Sequence, residues 1–346
     1  MTMTPACVIA VGGYSGSGKT TLIERAVAEL KREGLYVGVL KQTSHHRLDL
    51  DREGKDTDRF FRAGAEIVLA CDAHQGFARY PQKNADLHDV LGRFPSGLDL
   101  VLIEGFRDAS LNGVWIEKGM KREGLPTDRS SSRTVLYRGD AGYFEEFLAY
   151  VHSRLKMFHS ERTLRAGLLI GGRSRRMGSP KALLRLNGET LMEKSVGTLL
   201  SVAGGAALLG SGEIPVALET VPRIPDAPGV AGPMAGMLGA FRWDPRSAWI
   251  ISAVDMPLME KGAWRWLLGQ RQPGAWAVLP RLPGRRHVET TGGCYEPMIF
   301  GHVESLAARG RVRLQDIALH PKVLTPRVPD ALAHAWKNVN TPEEWA

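Results

Sequence analysis

Two stretches of this 346-residue chain carry residue types at spacings that hold phosphate. The first runs Gly13-Tyr14-Ser15-Gly16-Ser17-Gly18-Lys19-Thr20, fits G-x-x-x-x-G-K-[ST], and continues into Thr21. Its glycines let successive backbone N–H groups converge on phosphate oxygens. Lys19 would reach the terminal phosphates and the Thr20 hydroxyl would ligate Mg2+. The second, "LIGGRSRRMGSPK" from Leu169 to Lys181, has no lysine–threonine pair opening a helix. Its logic is similar: Gly171 and Gly172 permit close approach of the backbone that begins at Leu169 and Ile170. Arg176 offers forked contacts to phosphate oxygens, and Lys181 offers a point charge.

Each loop needs an acidic partner. Glu104 ends "LDLVLIE" and is the candidate Mg2+ ligand for the first loop; its alternative is a solvated strand end. Asp255 follows "AWIISAV" at the carboxyl end of a buried strand, where open α/β sheets bind ligands and a carboxylate can hold Mg2+ against nucleotide phosphates. Asp226, in "RIPDAPGVAGPMAGM", either lies beside the nucleotide or caps the turn that follows it. His45 and His46 are adjacent, and adjacent histidines seldom face one ion, so a polar loop is expected there rather than a metal site.

The elements that position these residues fall into two αβ systems. "CVIAVGG" is a buried strand feeding the first loop, and the helix after it carries a stripe of Leu22, Ile23, Ala26, Val27 and Leu30, stopped at Gly34. "YVGVLKQ" and "LDLVLIEGF" read as further buried strands of a parallel sheet. A second start, "RAGLLIGG", is followed by a strand "ALLRL", a helix from about Leu191 to Val202, and the strand "AWIISAVDMP". Residues 107–133, rich in Arg, Gly and Ser with little periodicity, read as a mobile loop. A closing helix and basic connector put the boundary near 158–163. The fold class is therefore α/β: an N-terminal P-loop NTPase domain over residues 1–158, then a second, Rossmann-like domain over 164–346.

Composition narrows the partners. The net charge of +8 is dispersed, without a basic helix or aromatic-interleaved strands, so phosphate-bearing metabolites are expected and nucleic acid is not. No apolar run reaches membrane-spanning length and no secretory leader pattern opens the chain. Cys7, Cys71 and Cys294 are widely spaced without a CxxC pair, which favours a reducing cytoplasm over a structural zinc site.

The P-loop, "GKDTDRFFRAGA" and "LVLIEGFR" together resemble the small GTP-binding adaptor of molybdenum cofactor dinucleotide synthesis (MobB-type), over about residues 6–157. Gln42 departs from that pattern, which usually has a histidine after the lysine. "LLIGGRSRRMGSPKALLRLNGETLMEKSV", "GPMAGML", "AVDMPLM" and "NVNTPEEWA" resemble the molybdenum cofactor guanylyltransferases (MobA-type), from about residue 165 onward. That resemblance implies the reaction of GTP with molybdopterin to give the guanine dinucleotide cofactor and pyrophosphate. Arg176, Lys181 and Asp255 would be its catalytic set, with Mg2+ on Asp255 and no protein nucleophile. Nucleotide would lie against Leu169, Ile170, Gly171, Gly172, Arg176, Lys181, Asp226 and Asp255. The expected partners are acceptor molybdoenzymes and their chaperones, and a second copy through the N-terminal domain.

Two departures bear on the base: "SPK", where guanylyltransferases more often have an aspartate before the lysine, and "LLGSGE", which lacks the usual asparagine. A cytidylyltransferase is therefore the first alternative. A GTP-binding adaptor that delivers cofactor with little transferase activity is the second, and a P-loop kinase of a small metabolite the third. The Lys19 site is expected to assist transfer rather than catalyse it, with covalent linkage raising the local concentration of one domain near the other.

Overall fold

The computed structural model describes residues 6–42, 51, 53–81, 86–105, 111–120, 133–171, 183, 185–186 and 188–338. Its N-terminal sheet is assembled around β1 (Cys7–Gly13), which the helix α1 (Lys19–Arg32) follows. Then come β2 (Val37–Lys41), α2 (Asp56–Arg62), a hairpin of β3 (Val68–Cys71) and β4 (Gly76–Arg79), and α3 (Leu87–Leu91). β5 (Leu100–Glu104), β6 (Gly113–Glu117), β7 (Arg133–Tyr137) and α4 (Tyr143–Ser160) complete this half. The five-stranded sheet has the order β2-β5-β1-β6-β7 and every pairing in it is parallel. Alternation along β5 sorts its side chains. Leu100 and Leu102 join Leu22, Ala26 and Phe147 of α1 and α4, whereas Val101 and Ile103 meet Leu91 on the other face.

β6 corrects the mobile-loop expectation for residues 107–133. Residues 113–117 form an interior strand between β1 and β7, with Val114 and Ile116 buried. Residues 106–110 and 121–132 lie outside the described part.

The C-terminal half begins with β8 (Leu164–Leu169), then β9 (Arg185–Leu186) and β10 (Glu189–Thr190), a two-stranded ladder, and α5 (Leu191–Leu200). Of the strand expected over "ALLRL", Arg185 and Leu186 are in strand and Leu183 is not, while Ala182 and Leu184 lie outside the described residues. α5 also stops two residues short of Val202, in a turn where Val202 N–H donates to Leu199. Its start is fixed by a capping box in which Thr190 accepts from Glu193 N–H and Glu193 accepts from Thr190 N–H. β11 (Ala206–Leu209), β12 (Arg223–Ile224), α6 (Pro233–Trp243), β13 (Ala248–Ala253) and α7 (Lys261–Leu268) follow. β14 (Ala277–Val278), β15 (Gly293–Tyr295), α8 (Phe300–Ala308) and β16 (Val323–Leu324) end the fold.

The seven-stranded sheet has the order β12-β11-β8-β13-β15-β14-β16, with β15 antiparallel to both its neighbours. From β8 the chain first winds to β11 and β12, then crosses back to β13 on the other side. The reversal opens a crevice at the carboxyl ends of β8 and β13. Trp249 and Ile251 of β13 pack with α6 and α8, and Ile250 packs with Leu168 and Trp264 on the opposite face. No helix of the described residues is long and apolar enough to cross a membrane.

Candidate active site

In the first loop, backbone conformation follows the glycines: Gly13, Gly16 and Gly18 all have positive φ. Gly13 also has no room for a Cβ, which would stand 2.7 Å from the Ile116 carbonyl oxygen. The turn therefore requires glycine twice over, for its dihedral and for its space. Gly18 is the N-cap of α1, so the loop's N–H groups and the helix's positive end share one side. The Lys19 ammonium curls back on the loop, donating to the carbonyls of Gly13 (3.0 Å) and Tyr14 (2.7 Å). The Thr20 hydroxyl donates to the Glu104 carboxylate at 3.0 Å, although the two are 84 positions apart. Ser17 is buried, whereas Thr21 stands exposed on the first turn of α1. Ser15 and Gly16 form the exposed crest of the loop.

Three cations around this loop escape sequence reasoning. The Lys41 ammonium stands 3.4 Å from Glu104. A Cβ on Gly16 would meet the Lys118 ammonium at 3.5 Å, and one on Gly18 would meet the Arg138 guanidinium at 3.1 Å. Lys118 and Arg138 follow β6 and β7, short strands without an apolar run long enough to mark their ends. The hydroxyl and carboxylate pair of Thr20 and Glu104 is an all-oxygen donor set suited to a hard divalent cation. Gln42, after β2, abuts Gly105: a Cβ on that glycine would lie 2.9 Å from the Gln42 Cβ. His45 and His46 lie outside the described residues.

In the second half, one sheet end gathers the predicted residues that are described. Leu169 is the last residue of β8, level with Leu209 and Ala253. Ile170 N–H donates to the Leu209 carbonyl, and exposed Gly171 follows. The Asp226 carboxylate sits between two glycines: a Cβ on Gly210 would meet it at 3.2 Å and one on Gly236 at 3.4 Å. Arg223 pins the neighbouring loop by donating to the Gly210 and Gly212 carbonyls. Asp255 stands two residues beyond β13, in a turn closed by Met256 N–H on the Ala253 carbonyl, so the strand ends earlier than the apolar run suggests. Gly172, Arg176 and Lys181 lie outside the described residues.

Glu289 is the residue that sequence reading missed here. The antiparallel course of β15 beside β13 brings the turn Thr290–Gly292 to the end of β13. That turn is held by Tyr295 O–H on the Thr290 carbonyl (2.6 Å) and Trp336 Nε1–H on the Gly292 carbonyl (3.0 Å). Glu289 thereby comes within electrostatic reach of Asp255. Burial raises the Glu289 pKa, Arg285 at 3.5 Å opposes the rise, and the Asp255 charge adds to it. Two carboxylates within electrostatic reach of each other at one sheet end are again oxygen donors of the kind a hard divalent cation takes.

Comparison with known proteins agrees with this division. Residues 8–135 match the family described as MobB, molybdopterin guanine dinucleotide synthesis protein B, and residues 166–337 match the MobA-like NTP transferase domain. The N-terminal half is 36% identical over 121 residues to the Haemophilus influenzae protein named molybdopterin-guanine dinucleotide biosynthesis adapter protein. That alignment spans 34% of this chain and 67% of the relative. The C-terminal half is 30% identical over 184 residues to a Deinococcus radiodurans protein named probable molybdenum cofactor guanylyltransferase, spanning 53% of this chain and 92% of the relative. This chain belongs to both families. It joins a MobB domain to a MobA-like nucleotidyltransferase domain in one polypeptide, and it is an enzyme of the nucleotidyltransferase class. Among solved structures, the Archaeoglobus fulgidus molybdopterin-guanine dinucleotide biosynthesis protein A matches at 20% identity and a TM-score of 0.45, covering 52% of this chain and 94% of that one.

Proposed function

We propose that the MobA-like domain transfers GMP from GTP to molybdopterin, with the MobB domain as an attached GTP-binding adaptor. The observation that carries this reading is the 30% identity to a protein named as a guanylyltransferase over 92% of its length. A phosphate oxygen of molybdopterin forms the new bond to the α-phosphorus of GTP. The bond from that phosphorus to the bridging oxygen breaks, and pyrophosphate leaves. The attacking phosphate is already anionic at neutral pH, so the chain needs neither a nucleophile nor a general base.

What remains for the protein is positioning and charge neutralisation. The backbone from Leu169 to Gly172 lies along the triphosphate, Arg176 and Lys181 offset its charge, and Asp226 orients the nucleotide from the β12 side. Asp255, with Glu289 beside it, would hold Mg2+, which when bound neutralises the phosphates and polarises the reacting phosphorus. In the MobB domain Gly13, Ser15, Gly16, Ser17, Gly18, Lys19 and Thr21 would surround a second nucleotide, and Thr20 and Glu104 its Mg2+. The reading places the chain in the cytoplasm, handing its product to molybdoenzymes or their chaperones.

Incubation with molybdopterin and each nucleoside triphosphate in turn, followed by identification of the dinucleotide, tests the assignment. The guanine dinucleotide and pyrophosphate are expected with GTP. A cytosine dinucleotide would reassign the base, and no dinucleotide with any triphosphate would leave only the adaptor role. Pairing of two chains through the MobB domain is part of the same reading. It is supported by the isolated β3–β4 hairpin, which together with Ile67 and Phe60 exposes Leu69 at 72%. Sedimentation of only the 37.9 kDa species at micromolar concentrations would remove it.

A further inference from the structure

The two domains meet at a built interface. Asp99, just before β5, has its side chain 1% exposed and forms an ion pair with Lys322 of the transferase domain at 2.6 Å. The same carboxylate accepts from Tyr36 N–H (2.7 Å) within its own domain and from Trp276 Nε1–H (2.8 Å) across the interface. The Lys322 ammonium also donates to the Gly34 carbonyl, and the Tyr36 ring meets Trp276 edge-on at 5.2 Å. Space is as tight as the polar pairing. A Cβ on Gly97 would strike the Trp276 ring at 2.8 Å, and one on Gly301 would strike Ser96 at 2.7 Å. A second buried cluster, Glu296 accepting from Arg162 and Arg271, ties the connector to the base of the transferase sheet.

Register shows which ends are joined. Cys7 pairs with Leu100 and Val37 pairs with Leu100, so Asp99 and Tyr36 lie at the amino ends of the parallel strands, opposite Gly13 and Glu104. In the transferase sheet Trp249 is level with Tyr295, Tyr295 with Ala277, and Ala277 with Val323. Trp276, Lys322 and Glu296 therefore lie at the amino end of β13, opposite Ala253 and Asp255. The carboxyl ends of β5 and β13, Glu104 and Ala253, each stand about five strand residues from the interface, or ~17 Å at ~3.3 Å per residue.

We infer that the chain is one rigid body joined base to base, with its two nucleotide sites opening in different directions and holding separate nucleotides. The P-loop hands neither a side chain nor its nucleotide to the transferase site of the same chain. Even with the two sheets meeting at a right angle, ~17 Å on each side leaves the sites more than about 24 Å apart. The reach of Lys19 or Arg138 is far shorter. This follows whichever base the transferase uses.

Spin labels test it, in a Cys71→Ser background where the remaining cysteines, Cys7 and Cys294, are buried. Exposed Met120, past β6, and exposed Leu258, past Asp255, are replaced by cysteine and labelled, and the distance distribution is read by pulsed dipolar spectroscopy. A single narrow peak beyond about 24 Å, unmoved by a non-hydrolysable GTP analogue with Mg2+, is expected from the strand lengths. Gly97→Val, which wedges Trp276 away, should broaden and shift that peak. Any population below about 20 Å, with or without nucleotide, overturns the inference, and so does a Gly97→Val distribution identical to the parent's.

Discussion

Replacing Lys322 with methionine is expected to lower the stability of the whole chain by about 3–5 kcal/mol, the usual cost of removing one partner from a buried ion pair. Asp99 would keep its two N–H donors but lose its countercharge in a place where water cannot replace it. The Lys322 ammonium lies over the Tyr36 and Trp276 rings, and the methionine thioether, which also packs well against aromatic rings, fills much of the same space. The loss is therefore electrostatic rather than a cavity effect. Adding Asp99→Asn should recover part of it: no charge remains buried and the amide oxygen still accepts from Trp276, but the amide NH2 faces the Tyr36 N–H and leaves that donor unpaired. Urea unfolding followed by circular dichroism would show a lowered midpoint for the single variant and a partial return in the pair. A second signature comes from the interface itself: one cooperative transition in the parent should separate into two in Lys322→Met. A single variant within about 1 kcal/mol of the parent would mean that the pair is not sealed from solvent.

That pair also marks where sequence reading stops. Asp99 and Lys322 are 223 positions apart and each follows an unremarkable turn, so nothing local announces them. The first loop was legible because its mechanism is local: glycines at fixed offsets, a strand before and a helix after. β1, β5, β8 and β13 were legible as apolar runs, since strands buried on both faces carry little else. β6 failed that test with only five residues between Arg- and Gly-rich flanks, and its status comes from β1 and β7 pairing on either side. Glu289 was invisible for a related reason. It comes within electrostatic reach of Asp255 only because β15 runs antiparallel to β13, a pairing that no residue near Glu289 encodes. Asp226 shows the third kind of limit. Its neighbourhood was legible in the glycines, but its position between Gly210 and Gly236 depends on how α6 packs over β11.

Converting Asp255 to asparagine is expected to reduce the rate of dinucleotide formation by roughly 10²–10³ while leaving the fold intact. That is the range for removing one preorganised electrostatic group from a reacting centre. The folding side of this expectation rests on position. Asp255 stands outside β13, in a turn made by backbone groups, and asparagine fits the same turn. The rate side rests on what the change removes. Triphosphate and molybdopterin phosphate are both anionic, and they approach only where cationic charge is held between them. With Asp255 neutral, Glu289 alone remains beside the end of β13, its carboxylate opposed by Arg285. The rate should fall with KM for GTP changing much less, because Arg176 and Lys181 would still bind the ground-state phosphates. Raising Mg2+ should restore part of the lost rate in Asp255→Asn but none in Lys181→Ala, which removes a protein cation instead of a cation's ligand. Initial rates over a Mg2+ series, with circular dichroism as the folding control, separate the two. If Asp255→Asn retained activity within about threefold of the parent at every Mg2+ concentration, the carboxylate at the end of β13 would not belong to the reacting centre.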